Sequence, residues 1–573
     1  MKIREKLSNS YLKELKNFDK KTTLWIAKNS RSQLFNIILL AVLYSVMAYS
    51  GVLMAQLARG IVDSAAYDKN WNGVLFYGVM LLMLTLAQVG LRILSNVTNF
   101  NISAKLEIKL KTHLFDTMLR KDYSKITSYH TGELLNRLTS DISVITGAIT
   151  SIVPSICYFI VKLFGAFIIL FSIDWKFAIV LVVGGVLLMI VALLFKGTLK
   201  NLHKKAQETD GKTRSFLQES LASILVIKVF NGYDRIKAES DKLQMDNFKI
   251  KRKRNYISIF ASTGFSFVFA AAYLYGLVWG SFSILSGLIT YGVLTEILSL
   301  VSQIQSPIQG LTSILPTYYQ ALASAERIME FEEFPDEHTE ESNSKIDIAN
   351  LYDNLSSIEF KDITFSYGRD TVLENTGLSI NKGDFVVITG ISGIGKSTLT
   401  KILLDVFPVQ SGEVFLKLKD NSKVVIDKNL RSMFAYVPQG NFLLSGSIRE
   451  NISFVRPDAT DEEIMAAAKI ACADFIDELP EGLDTMIGEK GLGLSEGQVQ
   501  RVAIARAIIC KCPIIILDEA TSALDEATEI RLLKNIEHLK NKTCILISHK
   551  KAANKVCNKE VVIQDKKIIV RDI

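Results

Sequence analysis

The sequence predicts a multidomain chain: an all-α, six-helix transmembrane domain followed by an α/β domain built on a phosphate-binding loop. Three observations predict it. Long apolar segments recur through the first half of the 573 residues. Hydrophobic residues make up 49% and charged residues 22%, with a mean hydropathy of +0.25, which points to a chain with a membrane half. Finally, the glycine-rich stretch GISGIGKST at Gly390–Thr398 lies between a strand-like run and a helix-like run.

Residues 1–32 are basic and partly amphipathic, with Trp25 and Ile26 at the end nearest the membrane. They read as a cytoplasmic segment lying on the membrane surface. Residues 33–320 form the predicted transmembrane domain. Its spans are expected at about 33–57, 73–98, 146–171, 175–196, 258–285 and 288–315, each near the roughly 20 residues a bilayer requires. The connections near 58–72, 172–174 and 286–287 are short, whereas 99–145 and 197–257 read as long basic loops. Basic flanks accumulate on the cytoplasmic side, so the long loops, the N-terminus and the C-terminal half are placed in the cytoplasm. The net charge of +7 is spread along these flanks, which argues against nucleic acid as a partner. Lys162 and Glu296 fall inside spans, where an unpaired charge costs at least about 2.5 kcal/mol. Both are expected at similar depth, lining a central cavity and either pairing or engaging substrate.

Residues 321–357 read as a polar, acidic linker, and 358–573 as the α/β domain. Short β-rich runs (IEFKDITFSY, DFVVITG, PIIILDE, TCILIS) alternate with helical segments, the pattern of a mainly parallel sheet. VVIQDKKIIV near the C-terminus is strand-like. The six cysteines lack paired metal-ligand spacing and are expected as reduced thiols.

The strand Phe385–Thr389 runs into the glycine loop, and a helix follows. Gly390, Ser392, Gly393 and Gly395 let backbone N–H groups crowd around phosphate, and the helix N-terminus adds partial positive charge. Lys396 is suited to the β- and γ-phosphates of ATP, Ser397 to Mg²⁺, and Thr398 completes the motif. A second strand, Ile514–Leu517, ends in Asp518-Glu519. Asp518 is suited to hold Mg²⁺ through water, and Glu519 to polarise the attacking water. Between them lies GLGLSEGQVQRVAIARA, Gly491–Ala507.

With these three elements in order, the chain resembles the ATP-binding cassette family over essentially its whole length, and in particular its exporter-type half-transporters. The resemblance implies a sandwich of two cassettes around two ATP molecules. Ser495, Gly497 and Gln498 of one chain then complete the ATP site of a second half-transporter, in a homodimer or a heterodimer. It implies that Tyr367 stacks on adenine and that Gln439 senses Mg²⁺ and the attacking water. It implies that His549 contacts the γ-phosphate and that Asp525 lies in the loop crossing to the partner. Tyr123–Ser128 and Phe230–Asp234 are the coupling helices it implies. The usual signature is LSGGQ, and here Glu496 replaces the first glycine. Its carboxylate is expected to face solvent, the alternative being weakened hydrolysis. The implied function is ATP-driven export of a drug, lipid or peptide-like molecule by a multi-pass membrane protein. Import of a siderophore-like substrate and a non-transporting membrane ATPase regulator are the other readings.

Overall fold

The computed structural model describes residues 20–337, 347–368, 370–440, 443–488, 491, 493–539, 541–550 and 553–573. Most of the predicted N-terminal surface segment and the acidic stretch 338–346 lie outside the described residues. The chain folds as two compact units, one of residues up to 116 with 131–332, the other of 117–130 with 333–573.

The first unit is helical. Its long helices are α1 (Leu34–Ala66) and α2 (Trp71–Arg120). A short helix, α3 (Tyr123–Ile126), belongs to the second unit. Then follow α4 (Thr131–Asn136), α5 (Ile142–Ile173), α6 (Trp175–Ala222), α7 (Ile224–Val229), α8 (Tyr233–Leu285) and α9 (Tyr291–Glu333). Among the described residues, Lys20–Ala66, Trp71–Arg120, Thr131–Ile173 and Ser266–Leu285 are long and apolar enough to cross a membrane. Most of segment 288–315 lies on α9, where Ser299, Ser302, Gln303 and Ser306 interrupt the apolar run but not the helix.

The stretches read as long basic loops are mostly helix instead. At 50 residues, α2 is about 75 Å long, more than twice the hydrocarbon thickness. Charge did not break these helices, because neighbouring turns pair it. Lys111 meets Glu107 one turn away at 2.6 Å, and Lys251 on α8 meets Asp210 on α6 at 2.6 Å. α9 likewise runs through position 320 without a break. Val52, Ala55, Ala166, Leu170, Ile297 and Leu300 build one buried core of this unit.

The second unit carries two main sheets. Its elements are α10 (Ile348–Asp353), β1 (Leu355–Tyr367), β2 (Asp370–Asn381), β3 (Phe385–Thr389), α11 (Lys396–Leu403), β4 (Ser411–Leu418), β5 (Lys423–Val425) and β6 (Phe434–Val437). There follow β7 (Gly446–Ser447), α12 (Ile448–Ile452), α13 (Asp461–Ile470), β8 (Met486–Ile487), α14 (Glu496–Ile509), β9 (Ile514–Asp518), α15 (Glu526–Glu537), β10 (Thr543–Ile547), β11 (Lys559–Gln564) and β12 (Lys567–Asp572). The larger sheet has the order β12-β11-β3-β10-β9-β6, parallel except for edge strand β12. Every residue of β9 and β10 is buried, as strands covered on both faces must be. The smaller sheet, β2-β1-β4-β5, is antiparallel.

Three details depart from the sequence reading. The predicted linker contains α10, whose Tyr352 is buried with its hydroxyl 2.9 Å from that of Thr543. VVIQDKKIIV is a hairpin rather than one strand, because Asp565 and Lys566 both take positive φ, the conformation of a two-residue type I′ turn. Cys510 and Cys512 are joined by a disulfide, where reduced thiols were expected. Lys511 between them has φ 58° and brings their Cα atoms to 5.3 Å.

α3 is held within the second unit by the chain near 335. Asp122 N–H donates to Pro335 O at 3.1 Å, Glu337 N–H donates to Arg120 O at 3.1 Å, and Lys121 pairs with Asp336 at 2.9 Å. The Tyr123 ring lies 6.1 Å from that of Phe407. Phe407 in turn stacks on Phe365 at 5.7 Å and meets Tyr367 edge-on at 5.5 Å.

Candidate functional site

The glycine loop closes over the C-terminal edge of β3, where a parallel sheet exposes its strand ends. Gly390, Gly393 and Gly395 have φ of 144°, 81° and 111°. A Cβ on Gly395 would lie 2.3 Å from Val372 Cγ1, so glycine is required there. A Cβ on Gly393 would meet nothing within 4 Å, and its backbone is open to an approaching phosphate. Ser392 is exposed at the loop's rim. Lys396 is buried at the start of α11, and its Nζ donates to Gly390 O at 3.0 Å and Ile391 O at 3.1 Å. Burial pushes this lysine below its ordinary value, while Glu519 and Asp518 oppose the shift. A phosphate in the loop can therefore take over an ammonium already aimed at it. The Thr398 hydroxyl lies 3.2 Å from that of Tyr367, a residue 47% exposed whose ring is suited to stack on a base.

β9 lies two strands from β3, with β10 between, so Asp518 faces the loop. The Ser397 hydroxyl donates to Asp518 Oδ1 at 2.9 Å, and the Tyr436 hydroxyl donates to Oδ2 at 3.2 Å. Burial raises the Asp518 pKa, and these two donors pull it back. Glu519 follows in a left-handed conformation, φ 52°, with its N–H donating to Ile547 O at 3.1 Å. Such backbone is costly for a glutamate and is typical of functional positions. Gln439 Nε2 donates to Glu519 Oε2 at 2.6 Å, and His549 Nε2 lies 3.5 Å from Oε1. Ser397 with Asp518, and Gln439 and His549 with Glu519, thus form two groups on successive residues beside the glycine loop. A buried carboxylate, a hydroxyl and an amide make a hard oxygen-donor set that fits Mg²⁺.

The second group stands apart. Ser495 caps α14 by accepting from Gln498 N–H at 3.3 Å, and Gln498 Oε1 accepts from Ser495 N–H at 2.8 Å. Glu496 occupies the first helical position and is exposed, where a carboxylate suits the helix dipole. Gly497 packs so tightly on the next loop that a Cβ would approach Ala523 O to 3.1 Å. Gln500, one turn on, grips that loop: Nε2 donates to Ser522 Oγ at 2.9 Å, and Oε1 accepts from Ala523 N–H at 3.0 Å. Asp525 closes the loop by capping α15. Sequence reasoning missed the grip of Gln500 and the bond from Tyr436 to Asp518. Tyr436 carried no sequence signal, because its role depends on strand register.

The membrane charges are rearranged relative to expectation. Glu296 is 1% exposed and pairs with Arg59 on α1 at 3.1 Å, not with Lys162. Arg59 also meets Asp63 at 3.5 Å, and Asp63 accepts from Gly292 N–H at 2.9 Å. Lys162 contacts the Tyr158 hydroxyl at 3.1 Å and its ring at 5.3 Å. The two charges differ in depth, because α9 begins at Tyr291, only five residues before Glu296, whereas Lys162 is eleven residues from the end of α5. At 1.5 Å per residue that separates them by about 9 Å along the helix axes. The segment expected as the second coupling helix, Phe230–Asp234, is not helical as a unit: 230–232 is the turn after α7, with Asn231 at φ 49°, and Tyr233 begins α8.

Residues 33–308 match the family described as ABC transporter transmembrane region, and residues 373–522 match the family described as ABC transporter. A protein of Desulfotalea psychrophila named ATP-dependent lipid A-core flippase is 30% identical over 524 residues, covering 90% of this chain and 87% of its own. A Yersinia pestis protein of the same name is 28% identical over 557 residues, 94% and 92% of the two chains. The solved structure of a bacterial Atm1-family ABC exporter with ATP bound superposes with a TM-score of 0.77 at 22% identity, over 94% of each chain. The chain belongs to the ABC transporter family, as an exporter-type half-transporter that fuses membrane-spanning helices to a cytoplasmic ATP-hydrolysing cassette.

Proposed function

We propose that two such chains form an ATP-driven exporter that moves a lipid with a polar headgroup out of the cytoplasmic leaflet. The pairing of Ser397 with Asp518, and of Gln439 and His549 with Glu519, beside the glycine loop carries the reading. Gly390, Ser392, Gly393, Gly395 and Lys396 cradle the phosphates, and Tyr367 carries adenine. Ser397 and Asp518, with Gln439 alongside, hold Mg²⁺, which neutralises phosphate charge when bound. Glu519 accepts the proton of the attacking water, Gln439 orients its carboxylate, and His549 faces the γ-phosphate. Ser495, Gly497 and Gln498 complete the ATP site of the second chain, and Asp525 shapes the loop between them. ATP closes the two cassettes, and hydrolysis lets them part, alternating the access of the membrane cavity.

Dimer formation is supported by the exposed tip of the α6–α8 hairpin. No residue of α7 is buried, and Leu225, Val229 and Phe230 are 72%, 66% and 79% exposed. Apolar side chains at a cytoplasmic tip need a cover, which the second chain's cassette supplies. Phe230→Asp is expected to cut transport about tenfold or more while basal ATPase stays within about twofold. Equal loss of both activities would refute the tip's coupling role.

A lipid substrate is supported by the names of the relatives and by polar groups on apolar helices. Thr295, Ser302 and Ser306 share one exposed face of α9, and Lys162 has a hydroxyl rather than a carboxylate as its neighbour. Proteoliposomes loaded with fluorescent anionic lipid test the assignment. ATP-dependent movement between leaflets is expected, and transport in the import direction, or ATPase without movement, would overturn it. Glu496→Gly is expected to leave ATPase within about twofold, because the carboxylate is exposed. A large increase would mean that Glu496 repels phosphate across the dimer.

A further inference from the structure

We propose that Tyr436 is a positioning residue for the cation, fixing the Asp518 carboxylate oxygen that Ser397 does not hold; this rests on the Mg²⁺ site proposed above. β6 and β9 are parallel neighbours with Tyr436 opposite Ile516. Alternate residues of a strand share a face, so Tyr436 and Asp518 project to the same side of the sheet. Each carboxylate oxygen then receives one hydroxyl, Ser397 on Oδ1 at 2.9 Å and Tyr436 on Oδ2 at 3.2 Å. The two donors have different fates. Ser397 offers its oxygen to the cation, whereas Tyr436 lies outside the glycine loop and keeps its bond to Oδ2. Tyr436 therefore sets the carboxylate plane, as outer hydrogen bonds to metal ligands do.

The same backbone leads through Val437 and Pro438 to Gln439, so the hydroxyl that holds the carboxylate and the glutamine loop sit on one strand end. Ser397, Gln439, Asp518 and Tyr436 line one cavity of about 470 Å³, which Tyr123 of α3 and Arg431 also line. A displacement of α3 thus borders the ring that orients the metal ligand.

The test is Mn²⁺ binding to the full-length protein, followed by electron paramagnetic resonance with a non-hydrolysable ATP analogue present. Tyr436→Phe is expected to weaken Mn²⁺ about tenfold and to raise the half-saturating Mg²⁺ for ATPase by a similar factor. Affinity for the analogue in EDTA, and the metal-free melting temperature, are expected to hold. Tyr436→His keeps a donor and is expected to recover part of the loss. Unchanged Mn²⁺ affinity in Tyr436→Phe overturns the proposal, even where melting or turnover falls, because the role is then packing. Asp518→Asn separates the two levels: if it too leaves Mn²⁺ binding unchanged, the metal site itself is misassigned.

Discussion

Glu519→Gln is expected to lower steady-state ATP hydrolysis about 10²- to 10⁴-fold, the range for losing a general base. The substitution keeps shape and one hydrogen-bonding oxygen, so the contact with Gln439 persists and nucleotide affinity should change little. ATP then stays bound, and size-exclusion chromatography in detergent with ATP and Mg²⁺ should show a persistent closed dimer. The neighbouring His549 sharpens the expectation. At 3.5 Å from Glu519 it is a neighbouring group that can accept a proton. If Glu519→Gln retained a tenth or more of wild-type turnover and His549→Ala abolished it, the base would be His549. A loss of ATP binding in Glu519→Gln would instead mean that the carboxylate organises the phosphate loop.

In the membrane unit, the largest expected effect comes from Arg59→Leu. Glu296 is almost fully buried, and Arg59 is its ion-pair partner at 3.1 Å. Removing one member of a buried pair costs about 3–5 kcal/mol, because the survivor remains desolvated. The Arg59 side chain is 42% exposed, so water relieves part of this and the low end of the range applies. Thermal unfolding in detergent should show a clear drop for Arg59→Leu and recovery in Arg59→Leu with Glu296→Gln. Equal melting of Arg59→Leu and wild type would rule out the pair as a stabilising contact between α1 and α9.

The legible parts of the sequence were those where one physical signal dominates. β3, β9 and β10 are apolar on both faces, and each ends at a chemical group, so both strand and site residue were readable. Helices outside the membrane were not, because the rules that locate spans treat charge as an ending. The pairing of Glu107 with Lys111 and of Asp210 with Lys251 makes charge a reason to continue. Arg59 was missed for the same reason: α1 runs to Ala66, past the point where an apolar segment stops. Tyr436 was hidden differently. A single tyrosine in a four-residue strand carries no periodicity, and its role depends on its register with β9.

The attachment of residues 117–130 to the chain near 335 bears on how the protein is made. Lys121 and Asp336, which pair directly, are separated by 215 positions. During synthesis the N-terminal partner emerges first, and α5 through α9 must be produced before its counterpart exists. At about 5–20 residues per second that is an interval of roughly 10–40 s with α3 uncovered. A cassette fragment beginning at residue 333 would lack α3 and leave the face of Phe407 bare. Aggregation of such a fragment, relieved by a peptide spanning 117–130 added in trans, is the behaviour this discontinuous build implies.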